Sequence, residues 1–237
     1  MNHWGIGQVP YSWNPLSKTM DWSGSDTLEN FNKNKDKDTW DNIKISYEYN
    51  SHGFRTHEPT SLLGQKVNIA LGCSLTEGIG LPVDRVWPSL LEQKLDHPVL
   101  NFGIGGASTD TVARILTNIS TQYDIQTVFI LWPFVHRIEM YPGDYKKPTE
   151  IRTILPQNSK IEHQWALSNE MSIQRFNHNQ LIVYLLSKNY KFNTNQQLAT
   201  ILLDQIVHKT RARDGQHPGI DMQVLLADMM LSNYAAQ

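Results

Sequence analysis

The stretch that decides the fold is VNIALGCSLTEG at residues 67–78, in which a short apolar run ends at a glycine. Such a run predicts a buried β-strand. Two further apolar runs, PVLNF at residues 98–102 and TVFILW at residues 127–132, predict two more strands. The intervening residues 84–95, with Asp84 as N-cap, and 109–119 carry apolar side chains at helical spacing. This alternation predicts parallel strands joined by helical crossovers, and therefore a doubly wound α/β sheet.

The chain before this region has a different composition. It contains four of the seven tryptophans, namely Trp4, Trp13, Trp22 and Trp40. We expect residues 1–49 to form an irregular aromatic arm packed on a domain of residues 50–237, with a short strand at residues 43–49. The alternative for these aromatic side chains is a face on which sugar rings stack.

The chain after residue 140 gives weaker signals. Residues 141–161 are rich in Pro and Lys and predict a long excursion. Residues 172–186 and 195–207 are predicted helices, and residues 221–234 predict an amphipathic helix. No fourth strand is clear from the pattern, and residues 181–185 are the only candidate.

Composition excludes several classes of protein. Of 237 residues, 40% are hydrophobic, which suffices for a packed core. The net charge of -2 argues against a nucleic-acid partner, which needs a basic surface. No apolar run approaches the ~20 residues that span a bilayer, and residues 1–13 lack the features of a signal peptide. We therefore expect a cytoplasmic protein without membrane insertion, and its single cysteine, Cys73, excludes an intrachain disulfide.

Three short motifs carry candidate chemistry. GCSLTEG at residues 72–78 follows the first predicted strand, at the end where open α/β sheets place their ligand sites. NFGIGGAS at residues 101–108 follows the second strand, and RDGQHPG at residues 213–219 places Asp214 and His217 on one turn. Histidine is the natural base for a serine hydroxyl because its pKa lies near neutrality. Taken singly, each motif also fits a plain turn or helix cap.

Together and in this order, the motifs resemble the SGNH hydrolases, also called the GDSL esterase and lipase family. Similarity extends over about residues 50–235. GCSL at residues 72–75 matches the family's Gly-Asp-Ser-Leu block, Gly106 the glycine of the second block, and residues 214–217 the terminal Asp-x-x-His. NSHGFR at residues 50–55 is similar to a lead-in that many such proteins have. We expect a three-layer α/β/α sandwich with a parallel sheet and flavodoxin-like topology.

The resemblance also implies a role for each matched residue. Ser74 would attack an acyl carbonyl, His217 would take its proton, and Asp214 would hold the imidazole tautomer. The backbone N–H groups of Ser74 and Gly106 would stabilise the oxyanion. No metal or organic cofactor is implied.

The sequence departs from the family at two places. Cys73 replaces the aspartate before the nucleophile, and we expect its thiol to be buried. The third block should supply an oxyanion asparagine, but the chain has WPFVHR at residues 132–137 and no asparagine there. Trp132, His136 or Arg137 could donate instead. Alternatively Trp132 and Phe134 belong to the core, and Arg137 pairs with Glu139 or holds an anionic substrate.

We therefore expect a serine ester hydrolase that forms an acyl-enzyme. The expected substrate is an O-acetylated carbohydrate, or another small acyl ester, because nothing in the sequence indicates an apolar entrance for lipids. The alternative is a catalytically silent module that binds glycans or joins an assembly, and the altered third block motivates it. The Asn-rich, Trp-rich head resembles that of bacteriophage proteins, which leaves a virion-associated location open. The sequence leaves the oligomeric state open.

Overall fold

The architecture is mixed α/β and centres on a parallel sheet. The structure, a computed structural model, describes residues 12–120, 122–133, 137–140, 152–154, 191–194 and 210–235. The strands are β1 (Lys18–Met20), β2 (Tyr47–Tyr49), β3 (Lys66–Leu71), β4 (Val99–Asn101), β5 (Asp124–Ile130), β6 (Ile138–Met140), β7 (Arg152–Ile154) and β8 (Lys191–Thr194). The α-helices are α1 (Leu28–Lys33), α2 (Ser74–Glu77), α3 (Trp87–Glu92), α4 (Thr109–Ile119) and α5 (Ile220–Ala235).

Among the described residues, four strands form the central sheet in the order β4-β3-β5-β8, and all their pairings are parallel. Ile69 of β3 lies opposite Leu100 of β4 on one side and opposite Val128 of β5 on the other. Counted along the chain, the strand order is 2-1-3-4, which is the flavodoxin-like order. The fold class predicted from the sequence is confirmed.

The direction of strand addition reverses beside β3. After β3 the chain adds β4 on one side of it and then crosses to add β5 on the other. Open α/β sheets bind ligands outside the carboxyl ends of the strands at such a switch point. Ser74 lies three residues beyond the end of β3, and the glycine loop of residues 103–106 begins two residues beyond the end of β4. Two of the three sequence motifs therefore lie at this edge.

Three of the predicted helices fall on described residues, and each is a helix there: residues 84–95 correspond to α3, 109–119 to α4 and 221–234 to α5. Helix α4 has the predicted bounds, because Ser108 and Thr111 form a capping box at its first turn. Helix α3 is shorter than residues 84–95. Asp84 lies in a separate 3-10 turn, and the N-cap of α3 is Val86, without a side-chain cap. The error arises because Pro88 fixes the start of the helix in its first turn.

The N-terminal segment forms its own small sheet and shares a second apolar cluster with the rest of the chain. Strands β1 and β2 pair antiparallel, with Thr19 opposite Glu48, so the strand expected at residues 43–49 is confined to its last three residues. The members of the second cluster are Trp40, Ile45, Tyr47, Tyr49, Ile79, Leu81, Val86 and Ala212. It thus joins the N-terminal segment to residues that follow Ser74 and precede Asp214. The expected domain boundary at residue 50 stays a prediction.

The fourth sheet strand was missed by the sequence analysis. It is β8, whose polar sequence KFNT lacks the apolar run by which a buried strand is recognised. Strand β7 lies within the expected excursion of residues 141–161 and pairs antiparallel with β6. The predicted helices at residues 172–186 and 195–207 and the candidate strand at 181–185 lie outside the described residues. No helix in the described part of the chain is long and apolar enough to cross a membrane.

Candidate active site

Ser74 stands at the first position of α2, immediately after the central strand β3. The preceding Gly72 packs so closely that an added Cβ would lie 2.1 Å from Thr76 Oγ1 and 2.7 Å from the Leu131 carbonyl oxygen. Only glycine fits this turn, because real Cβ atoms do not approach other atoms so closely. The turn is what lets the chain pass from the strand into the helix with Ser74 at the sheet edge. Ser74 is 8% exposed.

The structure brings Ser74, Asp214 and His217 together, although Ser74 and His217 are 143 positions apart in the sequence. The distance from Ser74 Oγ to His217 Nε2 is 2.7 Å. The distance from His217 Nδ1 to Asp214 Oδ2 is 2.6 Å. Both distances are within the range of hydrogen bonds.

The Asp214 carboxylate fixes the tautomer of the His217 imidazole. An ionised carboxylate only accepts hydrogen bonds, so the proton of a neutral His217 lies on Nδ1 and points at Asp214. Nε2 then carries the lone pair and accepts the Ser74 hydroxyl proton. This is the arrangement a general base requires in order to activate a serine.

Asp214 is buried and fully provided with donors. Its Oδ1 accepts the backbone N–H groups of Gln216 and His217, each at 3.0 Å. Its Oδ2 accepts His217 Nδ1 and the Ser25 hydroxyl, the latter at 2.7 Å. Burial by itself would raise the pKa of Asp214, but these hydrogen bonds and the charge of the imidazolium hold the pKa at about 2. Asp214 therefore stays ionised at neutral pH.

The turn that carries Asp214 and His217 is closed on itself and tied to the N-terminal segment. The Ala212 N–H donates to the His217 carbonyl, and the Arg213 N–H donates to the Gly80 carbonyl. Asn34 Nδ2 donates to the carbonyls of Ala212 and Arg213 at 3.0 and 3.2 Å. The turn is thus held between the loop after α2 and residues before position 50.

The lead-in motif of residues 50–55 supports the loop that follows α2. Arg55 is 2% exposed. Its guanidinium donates to the carbonyls of Gly78, Ser46 and Leu81, at 2.7, 2.8 and 2.8 Å. A buried Arg with three carbonyl acceptors joins separate backbone segments. Arg55 therefore acts on the shape of the site and not on its reacting atoms.

The second glycine loop lies beside Ser74. A Cβ added to Gly105 would be 4.0 Å from the Ser74 Cβ. Gly106 has a φ of +80°, which favours glycine, and a Cβ there would meet nothing within 4 Å. Neither the Ser74 N–H nor the Gly106 N–H has an acceptor among the residues that the structure describes. Both groups remain able to donate to a ligand.

Glu77 is a buried carboxyl that the sequence analysis missed. It is 1% exposed. Its Oε1 accepts the Tyr49 hydroxyl at 2.7 Å and Asn14 Nδ2 at 3.0 Å, and its Oε2 accepts the Gly105 N–H. Burial raises its pKa, and the three donors act in the opposite direction. The signal available in the sequence was that Glu77, three residues after Ser74, is the one charged residue of the motif GCSLTEG.

Comparisons with known proteins give distant structural relatives. No protein-family model matches the sequence, and no curated protein matches it. A member of the lipolytic G-D-S-L family from Veillonella parvula aligns at 14% identity over 73% of this chain and 100% of its own, with a TM-score of 0.38. The psychrotrophic esterase EstA from Pseudoalteromonas sp., inhibited by monoethylphosphonate, aligns at 17% identity over 72% of this chain and 97% of its own, with a TM-score of 0.40.

The chain resembles the SGNH, or GDSL, hydrolases. At these identities and TM-scores the likeness adds nothing to the chemistry of the site, which follows from this chain's own atoms. The third SGNH block, where an asparagine is expected, is represented by Trp132 and Arg137. Trp132 is buried in the main apolar cluster, and Arg137 is buried with Nη1 3.4 Å from the Ala107 carbonyl oxygen. His136 lies outside the described residues.

Cys73 is buried, as expected, at 4% exposure within the main apolar cluster. Its neighbour Ser74, and not the thiol, contacts the histidine. Among the residues that the structure describes, no group of three His, Cys, Asp or Glu side chains could hold a metal ion.

Three of the four N-terminal tryptophans have internal contacts. Trp40 is buried, and its Nε1 donates to the Arg211 carbonyl at 3.0 Å. Trp13 Nε1 donates to the Gly105 carbonyl at 3.2 Å. The Arg213 guanidinium lies over the Trp22 ring, with 4.0 Å between Arg213 Cζ and the ring centroid. These contacts favour packing over sugar stacking for these three, and Trp4 lies outside the described residues.

Proposed function

We propose that the chain is a serine ester hydrolase that acts through an acyl-enzyme. The observation that carries the proposal is the 2.7 Å contact between Ser74 Oγ and His217 Nε2, with Asp214 2.6 Å behind the same imidazole. Nucleophile, base and orienting carboxylate in hydrogen-bond contact are what acyl transfer to a serine requires.

In the first half of the reaction Ser74 Oγ attacks the ester carbonyl carbon. His217 Nε2 takes the hydroxyl proton as the new C–O bond forms, and the resulting imidazolium is stabilised by Asp214. The tetrahedral intermediate collapses by breaking the bond to the leaving alkoxide, which receives the proton from His217. The products of this half are an alcohol and an acyl-Ser74.

In the second half a water molecule repeats the sequence. His217 takes a proton from the water as its oxygen attacks the acyl carbon. Collapse breaks the bond to Ser74 Oγ, which takes the proton back from His217. The balance is one ester and one water consumed, and one carboxylic acid and one alcohol formed.

The oxyanion in both halves would be held by the N–H groups of Ser74 and Gly106. Support comes from the open space at Gly106 and from the lack of an acceptor for either group in the described structure. The asparagine that serves as the family's third donor is absent from residues 132–137 of this sequence. Arg137 lies close to this loop, because its Nη1 approaches the carbonyl of Ala107, the residue after Gly106. Trp132, His136 and Arg137 remain the proposed candidates for that donor.

The proposed substrate is a small acyl ester, with O-acetylated carbohydrate as the first class to try. Ser74 is only 8% exposed, which supports a small acyl group. The N-terminal tryptophans support the carbohydrate part less than the sequence suggested, since Trp13, Trp22 and Trp40 have internal partners. A silent binding module is not favoured, because it has no need of three catalytic side chains in mutual contact.

Hydrolysis of p-nitrophenyl acetate tests the proposal, with p-nitrophenyl octanoate for chain length and an acetylated xylan for the carbohydrate class. The wild type should release p-nitrophenol from the acetate, faster than from the octanoate, and Ser74→Ala should not exceed the background rate. Equal rates for wild type and Ser74→Ala would refute the proposal.

A further inference from the structure

Ser25 lies 189 residues before Asp214 in the sequence, yet its side chain contacts the carboxylate of the Ser–His–Asp site. Its hydroxyl donates to Asp214 Oδ2 at 2.7 Å. The same Ser25 Oγ lies 3.4 Å from His217 Nδ1. Neither the sequence motifs nor the resemblance points to this residue, which comes from the N-terminal segment.

We propose that Ser25 is a positioning residue for catalysis, through which the N-terminal segment completes the active site. The proposal rests on the function proposed above. The Ser25 hydroxyl contacts Asp214 Oδ2 and His217 Nδ1, and not Ser74 Oγ or His217 Nε2. It acts through Asp214, whose orientation decides where the His217 ring stands relative to Ser74.

The hydrogen bonds of Asp214 show how the Ser25 hydroxyl contributes to holding the carboxylate. Oδ1 is occupied by two backbone N–H groups, which fix one side of the carboxylate. Oδ2 has two donors, His217 Nδ1 and Ser25 Oγ. Without Ser25, His217 Nδ1 would be the one remaining donor to Oδ2 among the described residues. A buried carboxylate oxygen would then also lose one of its donors, which is costly in a water-poor site.

The position of Ser25 is itself fixed by buried contacts on both sides. Asn30 Nδ2 donates to the Ser25 carbonyl at 2.6 Å. The next residue, Asp26, is fully buried and forms an ion pair with Arg213, with 2.6 Å between Oδ2 and Nη2. Asp26 is next to Ser25 in the sequence, and Arg213 is next to Asp214. The ion pair therefore holds the segment with Ser25 against the segment with Asp214.

A third contact strengthens this anchor. The Tyr47 hydroxyl donates to Asp26 Oδ2 at 2.6 Å and accepts the Gly80 N–H at 2.7 Å. Gly80 belongs to the loop after α2, so the network extends from the acid of the site to the chain that follows Ser74. An exposed serine on a loosely held arm would lack such support. Here the hydroxyl is preorganised, which is the condition for a positioning role.

The test compares Ser25→Ala, Ser25→Thr and Thr27→Ala with the wild type. Thr27 is the matched control, because its hydroxyl caps α1 by accepting the Asn30 N–H at 3.1 Å and has no contact with Asp214. Three quantities are measured in each protein: kcat and KM for p-nitrophenyl acetate, the rate at which a fluorophosphonate labels the protein, and the proton resonance of His217 Nδ1–H. The resonance is assigned by its loss in His217→Ala.

We expect Ser25→Ala to lose about tenfold in kcat and in labelling rate, the size of one hydrogen bond to a charged group. KM should stay unchanged, and the Nδ1–H resonance should move. Ser25→Thr should restore the rates because it keeps the hydroxyl, and Thr27→Ala should keep wild-type rates even where it unfolds at a lower temperature.

The two proposals fail in different ways. If Ser25→Ala matches the wild type in kcat, labelling rate and resonance, Ser25 has no positioning role and the hydrolase stands. If Ser25→Ala and Thr27→Ala lose the same activity in proportion to their stability, the role is structural and the proposal is overturned. If the wild type neither hydrolyses esters nor is labelled, the hydrolase proposal fails. The resonance then decides alone whether Ser25 positions Asp214 and His217.

Discussion

Asp26 and Arg213 form a buried ion pair in which Arg213 Nη2 lies 2.6 Å from Asp26 Oδ2. Arg213 Nε also contacts both oxygens of the carboxylate, at 3.1 and 3.0 Å. One partner follows Ser25 and the other precedes Asp214. The pair therefore fixes the N-terminal segment relative to the turn that carries Asp214 and His217.

Asp26→Asn should lower the free energy of unfolding more than the loss of an exposed ion pair does. Removing one partner leaves the Arg213 guanidinium buried without its counter-charge, which costs about 3 kcal/mol in the free energy of unfolding. We also expect activity to fall, because the carbonyls and side chains around Asp214 lose their support. Denaturant titration and ester hydrolysis measure the two effects.

The control for this variant is Asp228→Asn. Asp228 pairs with Lys94 at 2.8 Å on the surface, where both side chains are about half exposed. Its loss should change the free energy of unfolding by less than about 1 kcal/mol. Equal losses of unfolding free energy in the two variants would show that the buried Asp26–Arg213 pair stabilises the fold no more than the exposed pair does.

Asp214→Asn should lower kcat by about 10²–10⁴ with little change in KM. An asparagine at this position can turn its NH₂ toward His217 Nδ1, which would place the imidazole proton on Nε2, where it cannot accept from Ser74. Steady-state kinetics on p-nitrophenyl acetate measure the loss. Asp84→Asn, at an exposed aspartate, should keep wild-type kcat, and an equal loss there would contradict the assignment.

Asp214 should also contribute to acid sensitivity. Its pKa in the folded chain is about 2, below the ordinary 3.8, so its ionised form stabilises the fold above pH 3.8. That contribution, about 2 kcal/mol, is lost as the pH falls from 3.8 toward 2. The difference in unfolding free energy between wild type and Asp214→Asn should therefore shrink across this window. A difference independent of pH would contradict it.

Glu77→Gln should lower activity about tenfold through the glycine loop. The Gln side chain has one acceptor oxygen, so it cannot satisfy Tyr49, Asn14 and the Gly105 N–H as the carboxylate does. Gly105 then shifts, and with it the adjacent Gly106 N–H. Glu48→Gln, at an exposed residue of β2, is the matched control and should be neutral.

The free energy of unfolding should depend on pH differently in Glu77→Gln and in Glu48→Gln. Burial raises the pKa of Glu77 above its ordinary 4.5, so the folded chain holds this proton more tightly than the unfolded chain. The stabilisation from the protonated form is complete below pH 4.5 and is lost as the pH rises through the folded pKa. Glu77→Gln should lack this loss, whereas Glu48→Gln should retain it.

Gly106→Ala tests the second oxyanion donor. The φ of +80° disfavours any other residue, but the open space at this position leaves room for a methyl group. We expect a folded protein that is about 1 kcal/mol less stable, with kcat reduced about 10²-fold as the N–H turns away. Unchanged kcat in a folded Gly106→Ala would exclude this N–H as a donor.

Three strands of the central sheet and three residues of the candidate site could be predicted because their signals are local. β3, α4 and the residues Ser74, Asp214 and His217 all lie in short runs or motifs that carry their own pattern. β8 could not be predicted, because its sequence KFNT is polar and its place depends on pairing with β5. The prediction that Asp84 caps α3 was wrong, because Pro88 sets the start of that helix.

The contacts of the N-terminal segment could not be predicted for a related reason. Ser25 and Asp26 belong to an ordinary turn sequence, and their importance comes from partners 189 and 187 positions away. Glu77 lay inside a motif that the sequence analysis singled out, but its three donors come from three separate segments. Contacts over such separations leave no period or spacing in the sequence.

The most direct test of the central claim is fluorophosphonate labelling followed by intact-mass measurement of wild type, Ser74→Ala and Cys73→Ala. We expect one phosphonyl group on the wild type and on Cys73→Ala, and none on Ser74→Ala, because only a serine activated by His217 reacts at a useful rate. A folded wild type that takes up no label, or Ser74→Ala labelled as fast as the wild type, would contradict the account.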